Sequence, residues 1–150
     1  MSRHAALLPV LCGLALAASG PAAAKTPLPG FRSPSGNIKC LLLSRPPGNL
    51  LCSIGHADYA KTLQARCMRP NGSGVDWHGF LLTATGRGEV NCSGGILYNP
   101  GTQRPSYVTL QYGKSWTRGA FTCTSRVTGV TCRNRRGHAI FVSRESWRAR

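Results

Sequence analysis

The stretch AFTCTSRVTGVTCRN at residues 120–134 decides the fold class of this chain. Two short segments rich in Thr, Val and Phe flank a turn at 127–129, and these residue types favour the pleated, half-buried surface of a strand. Two such segments around a turn that contains glycine are typical of a β-hairpin. The hairpin would bring Cys123 and Cys132 nearly opposite each other, so we predict a disulfide across it.

A second hairpin is predicted closer to the amino terminus. The apolar segments IKCLLLS (38–44) and LLCSI (50–54) flank the turn-forming cluster RPPGN (45–49). Cys40 on the first strand can then face Cys52 on the returning strand. A disulfide that closes so short a loop contributes roughly 3 kcal/mol in the chain-entropy relation.

Turn signals recur every eight to twelve residues along the rest of the chain, which predicts an all-β sandwich or barrel of short antiparallel strands. No long helix, heptad pattern or internal repeat is present in the sequence. We expect further strands at 79–83, 89–92, 107–112 and 137–144, an extended lead-in at 25–35, one or two helical turns within 55–75, and a frayed helical turn at 145–150.

The pattern of residues 1–24 is typical of a secretory signal peptide. A basic start at Arg3 precedes an apolar run that is too short for a comfortable membrane span, and Ala22 to Ala24 give an A-x-A cleavage site. We therefore predict a signal peptide at 1–24, a single disulfide-rich β domain at 25–150 with its core at about 31–147, no membrane span, and a secreted or periplasmic location. Cys12 would be removed with the signal peptide.

The cysteine content supports that compartment. Six cysteines remain after cleavage, and an even number behind a signal peptide predicts three disulfides. The sequence has no C-x-x-C pair and no Cys–His cluster at zinc spacing. We therefore expect no metal site and no cofactor.

The charge of the chain is strongly positive. Loss of residues 1–24 removes one basic residue, Arg3, and leaves about 18 Lys and Arg against four acidic residues. Such a surface attracts polyanions without choosing among them. The expected partners are an anionic glycopolymer, a lipid surface or another secreted protein, without specific recognition of nucleic acid. The alternative is that a basic genome composition has enriched the surface in arginine without a functional role.

The densest basic cluster is RNRRGH at 133–138. It makes Arg133, Arg135, Arg136 and His138 the best candidates for an anion contact, and Arg144 at the far end of the last predicted strand is added to them. Two structural roles stay open for these residues. A solvated loop accounts for the cluster equally well, and charged residues beside an edge strand also prevent mispairing.

No catalytic residue is assigned. The sequence lacks a G-x-S-x-G motif, bridged cysteines leave no thiolate, and four carboxylates offer few pairs for glycoside cleavage. Asp76 and His78 would share a strand face as an oriented base, although a surface hydrogen bond is the favoured interpretation. The aromatic residues Trp77, Tyr112 and Trp116 could stack on sugars, although core packing is favoured.

The sequence therefore favours a non-catalytic secreted or periplasmic β domain of unknown activity that binds an anionic envelope component or another protein. An inhibitor of another protein's enzyme activity is a special case, for which the loop at 94–106 would be the contact. The alternative function is a small secreted hydrolase.

The chain also resembles an uncharacterised family of secreted bacterial proteins that carry a domain of unknown function. The resemblance rests on FRSPSGNIKC at 31–40, Cys52, Trp77 with Gly79, YGKSW at 112–116, and residues 119–144. The family's closing motif is similar to G-H-G-F-x-L-S-R, in which this chain has Ala139, Ile140 and Val142 instead of Gly, Phe and Leu. The resemblance implies nearest-neighbour disulfides, which adds Cys67–Cys92 to the two hairpin pairs, and it implies no activity.

Overall fold

The structure is a computed structural model that describes residues 24–43, 48–69, 72–95 and 97–150. Over these ranges the chain forms eleven strands and one short helix. In chain order they are β1 (Thr26–Arg32), β2 (Ile38–Leu42), β3 (Asn49–Ile54), α1 (Ala60–Cys67), β4 (Asp76–Thr83), β5 (Gly88–Ser93), β6 (Gln103–Thr109), β7 (Ser115–Arg118), β8 (Phe121–Arg126), β9 (Gly129–Asn134), β10 (Ala139–Val142) and β11 (Trp147–Ala149). The predicted signal peptide lies outside the described residues, apart from Ala24.

The strands form two sheets that pack against a shared core, so the all-β prediction is confirmed and the fold is a sandwich. The first sheet has six strands in the spatial order β5-β4-β3-β2-β1-β6, and the second has five in the order β11-β10-β9-β8-β7. Neighbouring strands are antiparallel except β1 and β6, which are parallel. Both predicted hairpins are present, as β2–β3 and β8–β9.

Two disulfides cross-link directly opposite residues of the two hairpins. Cys40 pairs with Cys52 and Cys123 with Cys132, and the Cα–Cα distance is 4.0 Å in each pair. All four cysteines are completely buried. The Sγ atoms of Cys52 and Cys132 are 3.8 Å apart, so the two disulfides contact each other where the sheets meet.

The third disulfide attaches the helix to the edge of the first sheet. Cys67, the last residue of α1, pairs with Cys92 on β5 at a Cα–Cα distance of 5.4 Å. The pairing implied by the family resemblance is therefore the one in the structure. The helix has two turns, as expected for 55–75, and it buries Leu63 beside this disulfide. Within the described part of the chain, no helix is long and apolar enough to span a membrane.

The core lies between the sheets and is built from alternate residues of their strands. Its largest fully buried side chains are Phe31, Phe80 and Phe121, which come from β1, β4 and β8. Trp147 packs on Phe80 with ring centroids 5.2 Å apart, so the last strand of the second sheet is tied to the first sheet. Strands β1 to β3 also bury Leu28, Leu41 and Leu51 on their other face, which explains why their sequences do not alternate.

An irregularity in β4 depends on a glycine. The register of β4 against β5 shifts between Trp77 and Phe80, and Gly79 within it has a φ of 104°. A side chain at this position would be strained by the positive φ and would clash with the carbonyl oxygen of Cys52. The carbonyl of Gly79 accepts a hydrogen bond of 2.9 Å from the indole N–H of Trp77.

The extended lead-in expected at 25–35 is instead a full strand of the first sheet. β1 pairs with β6 along its whole length but with β2 only from Gly30 onward. The N–H of Thr26 donates to Thr102 just before β6, and the N–H of Leu110 just after β6 donates to Arg32, so the even-numbered residues of β1 face β6. The backbone nitrogens of Pro27 and Pro29, which carry no N–H group, therefore face the side on which β2 is not paired. The two prolines thus remove no hydrogen bond between β1 and β6.

Three further expectations about the strands were wrong. The strand expected at 107–112 lies at Gln103–Thr109, so the exposed loop expected at 94–106 is shorter. The segment Ser115–Arg118, where no strand was expected, is an edge strand paired with β8. The helical turn expected at 145–150 is the strand β11, whose backbone pairs with β10. The sheets thus extend beyond the core limits of 31–147 at both ends.

Candidate anion-binding face

The basic cluster at 133–138 is divided by a buried residue. Asn134 is 6% exposed, and its amide donates hydrogen bonds to the carbonyl oxygens of Thr83 and Gly86 at 2.9 and 2.8 Å. Its side-chain oxygen accepts from the backbone N–H groups of Arg136 and His138. Asn134 therefore shapes the turn after β9 and fastens it to the first sheet.

The structure does not bring the five predicted anion-binding residues together. Arg133 points outward from β9, while Arg135 reaches sideways and donates to the carbonyl of Gly119 at 3.2 Å. Arg136 is exposed in the turn and His138 is half-buried before β10. Arg144 lies beyond the end of β10.

Arg144 belongs to a separate polar region at the end of the sandwich. Its Nε is 3.5 Å from a carboxylate oxygen of Asp58, and both side chains are largely exposed. The neighbouring Tyr59 donates a hydrogen bond of 2.8 Å to the carbonyl of Ser143. Burial raises the pKa of Tyr59 well above its usual range, and the nearby carboxylates of Glu145 and Asp58 raise it further. Because the carboxylate of Asp58 partly neutralises Arg144, the Arg144 guanidinium should attract an anion less strongly than the exposed guanidinium of Arg133 does.

Arg133 instead belongs to a basic surface on the outer side of the second sheet. This surface, called here the basic face, consists of Thr131, Arg133, Ala139, Phe141, Arg148 and Arg150, which line one groove of about 180 Å³. Three adjacent strands, β9, β10 and β11, supply all of these residues except Arg150, which follows directly after β11.

The register of the strands explains why these side chains are neighbours. Ala139 lies opposite Arg133 on one side, and it exchanges two backbone hydrogen bonds with Arg150 on the other. Phe141 lies opposite Arg148, whose guanidinium is 5.8 Å from the centroid of the phenyl ring. The small Ala139 thus leaves a depression with an arginine on either side, and the ring of Phe141 holds the third guanidinium above it.

The three guanidinium groups of the basic face are available to a ligand. Arg133, Arg148 and Arg150 are exposed, and among the residues that the structure describes their guanidinium groups have no hydrogen-bond or ion-pair partner. The four acidic residues of the chain are all within the described ranges, and none lines the groove. The groove therefore concentrates positive charge and has no acidic side chain in its lining.

Hydroxyl groups continue this face toward the opposite edge of the sheet. From Phe141 the register leads to Thr131, Thr124 and Ser115 on successive strands. The hydroxyls of Ser115 and Thr124 are 3.0 Å apart, whereas the Thr131 hydroxyl has no hydrogen-bond partner among the described residues. A parallel row runs from Arg133 to Thr122 and Thr117. These two rows of the outer side are thus basic at one end and hydroxyl-bearing at the other.

Asp76 and His78, considered as an oriented base, share a shallow cavity of about 440 Å³ with Tyr98. Within the described residues no hydrogen bond joins them, and Asp76 instead accepts a hydrogen bond of 3.5 Å from Gln64. Ser93 lies opposite Asp76 on β5, but its Oγ is buried without a hydrogen-bond partner. A hydroxyl nucleophile paired with a base is therefore not formed at this position.

The aromatic residues considered for sugar stacking differ in their surroundings. Trp77 packs against Phe80 and Trp116 against Phe31, with ring centroids 5.8 and 5.2 Å apart. Both tryptophans are therefore part of the core periphery, as favoured from the sequence. Tyr112 is 43% exposed and lies outside the basic face.

The sequence analysis did not identify Phe141, Arg148 and Arg150 as site residues. The signal that could have found them is the alternation in Trp147-Arg148-Ala149-Arg150, in which half-buried and exposed residues follow each other with the period of a strand. The interpretation of 145–150 as a helical turn obscured this period.

Comparison with known proteins gives a family and no function. No curated protein and no solved structure matches the chain. Residues 6–148 match the family described as Family of unknown function (DUF6636). This range contains both sheets almost completely, with the three disulfides and most of the basic face. The chain therefore belongs to this family of unknown function.

Proposed function

We propose that the protein is a non-catalytic binding domain that holds an anionic polymer or surface on its basic face. The observation that carries the proposal is the group of three unpaired guanidinium groups around the groove at Ala139 and Phe141. Arginine binds oxyanions with a planar fork of donors, and its charge does not depend on pH. No acidic side chain among the described residues lines this groove, so no Asp or Glu side chain competes with a ligand for the guanidinium groups.

The excess positive charge of the whole chain supports the same partner. A formal net charge of +15 attracts polyanions from a distance, and the basic face gives the attraction a definite place of contact. Two non-functional origins of the charge predict no such place. If genome composition alone has enriched the surface in arginine, all exposed arginines should contribute about equally to the attraction of a polyanion. If the charges on the edge strand β11 only prevent pairing with another sheet, they have no role in binding.

The test compares two triple variants of equal net charge. Arg133→Gln/Arg148→Gln/Arg150→Gln removes the charge of the basic face, and Arg69→Gln/Arg87→Gln/Arg104→Gln removes three dispersed arginines that do not line the groove. Binding to long-chain polyphosphate is measured by fluorescence anisotropy at low and at physiological salt. A basic residue near an anionic surface contributes about 1 kcal/mol, so the first variant should lose about 100-fold in affinity and the second far less.

A third variant tests whether the turn after β9, which the sequence analysis selected as the densest basic cluster, contributes to binding in addition to the basic face. Arg135→Gln/Arg136→Gln should lose little, because these side chains do not line the groove. All binding should weaken with salt, since the charges act over about 8 Å at physiological ionic strength. Equal losses in the two triple variants, or no binding of polyphosphate at low salt, would contradict the proposed function.

We also infer that the protein is exported and acts in a secreted or periplasmic location. Disulfides persist in oxidising compartments, and the pattern of residues 1–24 is typical of a signal peptide. Expression of the whole chain in a bacterial host, followed by mass spectrometry after alkylation without reduction, tests this. The mature mass should start at Lys25 with no alkylated cysteine. A retained leader or a labelled thiol would contradict it.

A further inference from the structure

The groove in the basic face has the composition of a binding site for a sugar acid. We propose that the polymer is an acidic polysaccharide that carries carboxylates, and that one sugar ring with its carboxylate occupies the groove. This inference rests on the proposed function, because it names the class of anion that the basic face selects.

The floor of the groove is apolar, whereas its walls are charged. Ala139 and Phe141 form the floor, and Arg133, Arg148 and Arg150 stand around it. An aromatic or methyl surface packs well against the C–H groups of a pyranose ring, but it offers nothing to a bare phosphate chain. The volume of about 180 Å³ is smaller than that of typical drug-sized pockets, and it suits one small ring.

The arginines are spaced to bind a carboxylate at the border of such a ring. Arg133 and Arg150 lie on either side of Ala139, two strand spacings or about 10 Å apart at the backbone. The Arg148 guanidinium lies 5.8 Å from the centroid of the Phe141 ring, a contact that favours this placement before binding. A guanidinium so placed can form a bidentate pair with a carboxylate, which is a directional contact and not only a charge effect.

Thr131 supplies a contact that a sugar hydroxyl can use in both directions, whereas a phosphate oxygen can use it in one direction only. Its hydroxyl lines the groove and has no hydrogen-bond partner among the described residues. A sugar hydroxyl can donate to this oxygen or accept from it, whereas polyphosphate can only accept. Thr124 and Ser115 continue the row across the next two strands.

The spacing of this row fits a chain of sugars. Neighbouring strands are about 4.8 Å apart, which is comparable to the length of one pyranose unit. A polysaccharide that runs across β10, β9, β8 and β7 would therefore place one unit near each of Phe141, Thr131, Thr124 and Ser115. The site would accommodate about four units.

The same face is poorly suited to single-stranded nucleic acid. Binding of that class uses several exposed aromatic rings on which successive bases stack. Among the described residues, Phe141 is the one aromatic side chain that lines the groove, so successive bases would have no second ring on which to stack. The remaining positions of the two rows carry hydroxyls, arginine and alanine.

The test uses tetragalacturonate as the probe, with its methyl ester, polyphosphate and single-stranded DNA for comparison. Thr124→Val/Thr131→Val removes two hydroxyls of the row but keeps shape and charge. Thr26→Val/Thr109→Val, on exposed strand positions of the first sheet, is the matched control. Isothermal titration calorimetry on the folded, oxidised protein measures each affinity, and circular dichroism confirms that each variant is folded.

Loss of two hydrogen bonds should weaken tetragalacturonate binding about tenfold in the Thr124→Val/Thr131→Val variant. The same variant should lose clearly less affinity for polyphosphate than for tetragalacturonate, the control should be unchanged, and the methyl ester should bind at least tenfold more weakly than the acid.

The possible failures are distinguishable. If the triple arginine variant loses all polyanions but the threonine variant binds tetragalacturonate normally, the sugar-acid site is refuted and the proposed function stands. Tighter binding of DNA or polyphosphate than of tetragalacturonate also refutes the inference alone. If no anionic probe binds at all, the inference and the proposed function both fail.

Discussion

Simultaneous replacement of Cys67 and Cys92 by alanine should lower the free energy of unfolding by about 3.5 kcal/mol. This disulfide closes a loop of 25 residues, the longest of the three, and the chain-entropy relation gives this magnitude at 25 °C. Few packing contacts are lost with it, because Cys92 is exposed and Cys67 lies at the end of α1. The loss is a large part of the roughly 5–15 kcal/mol that stabilises a typical domain.

The assay is urea unfolding followed by tryptophan fluorescence. Trp77, Trp116 and Trp147 are all half-buried against the core, so they report its opening. The midpoint of thermal unfolding should fall by about 10–15 °C for a domain of this size. The dependence of the free energy on urea should become steeper, because the unfolded chain without the cross-link exposes more surface.

The matched comparison is Cys40→Ala/Cys52→Ala. Its loop of 12 residues predicts a loss of only about 2.8 kcal/mol from chain entropy. These cysteines are completely buried, and Cys52 contacts Cys132, so their removal also leaves a cavity and should cost more than the entropy alone. A loss below about 1 kcal/mol for Cys67→Ala/Cys92→Ala, with an unchanged urea dependence, would refute the reasoning.

Three more predictions follow from particular contacts. Mild reduction with alkylation and mass spectrometry should label Cys67 and Cys92 before any other cysteine, because the other two disulfides are completely buried. Asn134→Ala should lower the unfolding free energy by about 2–4 kcal/mol, since four backbone groups lose a partner, while the exposed Asn99→Ala should cost less than about 1 kcal/mol. Because the pKa of Tyr59 is raised in the folded state, its contribution to stability is intact below about pH 10, the approximate pKa of an unfolded tyrosine, and is lost as the pH rises above it. Urea unfolding at about pH 8 to 11 should therefore show a smaller alkaline loss of stability for Tyr59→Phe than for the native protein.

The hairpins could be predicted because the residues that determine them are close together in the sequence. β2–β3 and β8–β9 each contain a turn-forming cluster, short apolar strands and one cysteine on each strand, all within about twenty residues. The residues that set the register are therefore close in sequence. The same reasoning placed Cys40 opposite Cys52 and Cys123 opposite Cys132, which is where the structure has them.

The strand β1 could not be predicted because its stabilising partner is remote. Pro27 and Pro29 are unfavourable in most strands, and their tolerance here depends on the parallel partner β6, which begins 77 residues after Thr26. Nothing within the segment 25–35 indicates that partner. A parallel edge pair of this kind is a tertiary feature that the local pattern does not encode.

Asn134 shows the corresponding limit for the candidate site. In the sequence it stands between arginines and therefore looks like part of a solvated basic loop. Asn134 is buried because its side-chain amide donates hydrogen bonds to the carbonyl groups of Thr83 and Gly86 at the end of the sandwich. These two partners are about fifty residues away in the sequence. The turn after β9 is consequently fixed for a structural reason, and the charges of Arg135 and Arg136 are displaced from the groove.

The basic face shows why net charge alone could not locate the site. Arg148 and Arg150 would point in nearly opposite directions on a helical turn, since two residues span about 200°. On a strand they share a face, and pairing with β10 brings both beside Arg133. Because attraction between exposed charges is screened over about 8 Å, charges on neighbouring strands act together much more strongly than charges dispersed over the surface. The strand register of β9, β10 and β11, more than the surplus of arginine, therefore determines where the positive charge is concentrated and where we propose that an anion binds.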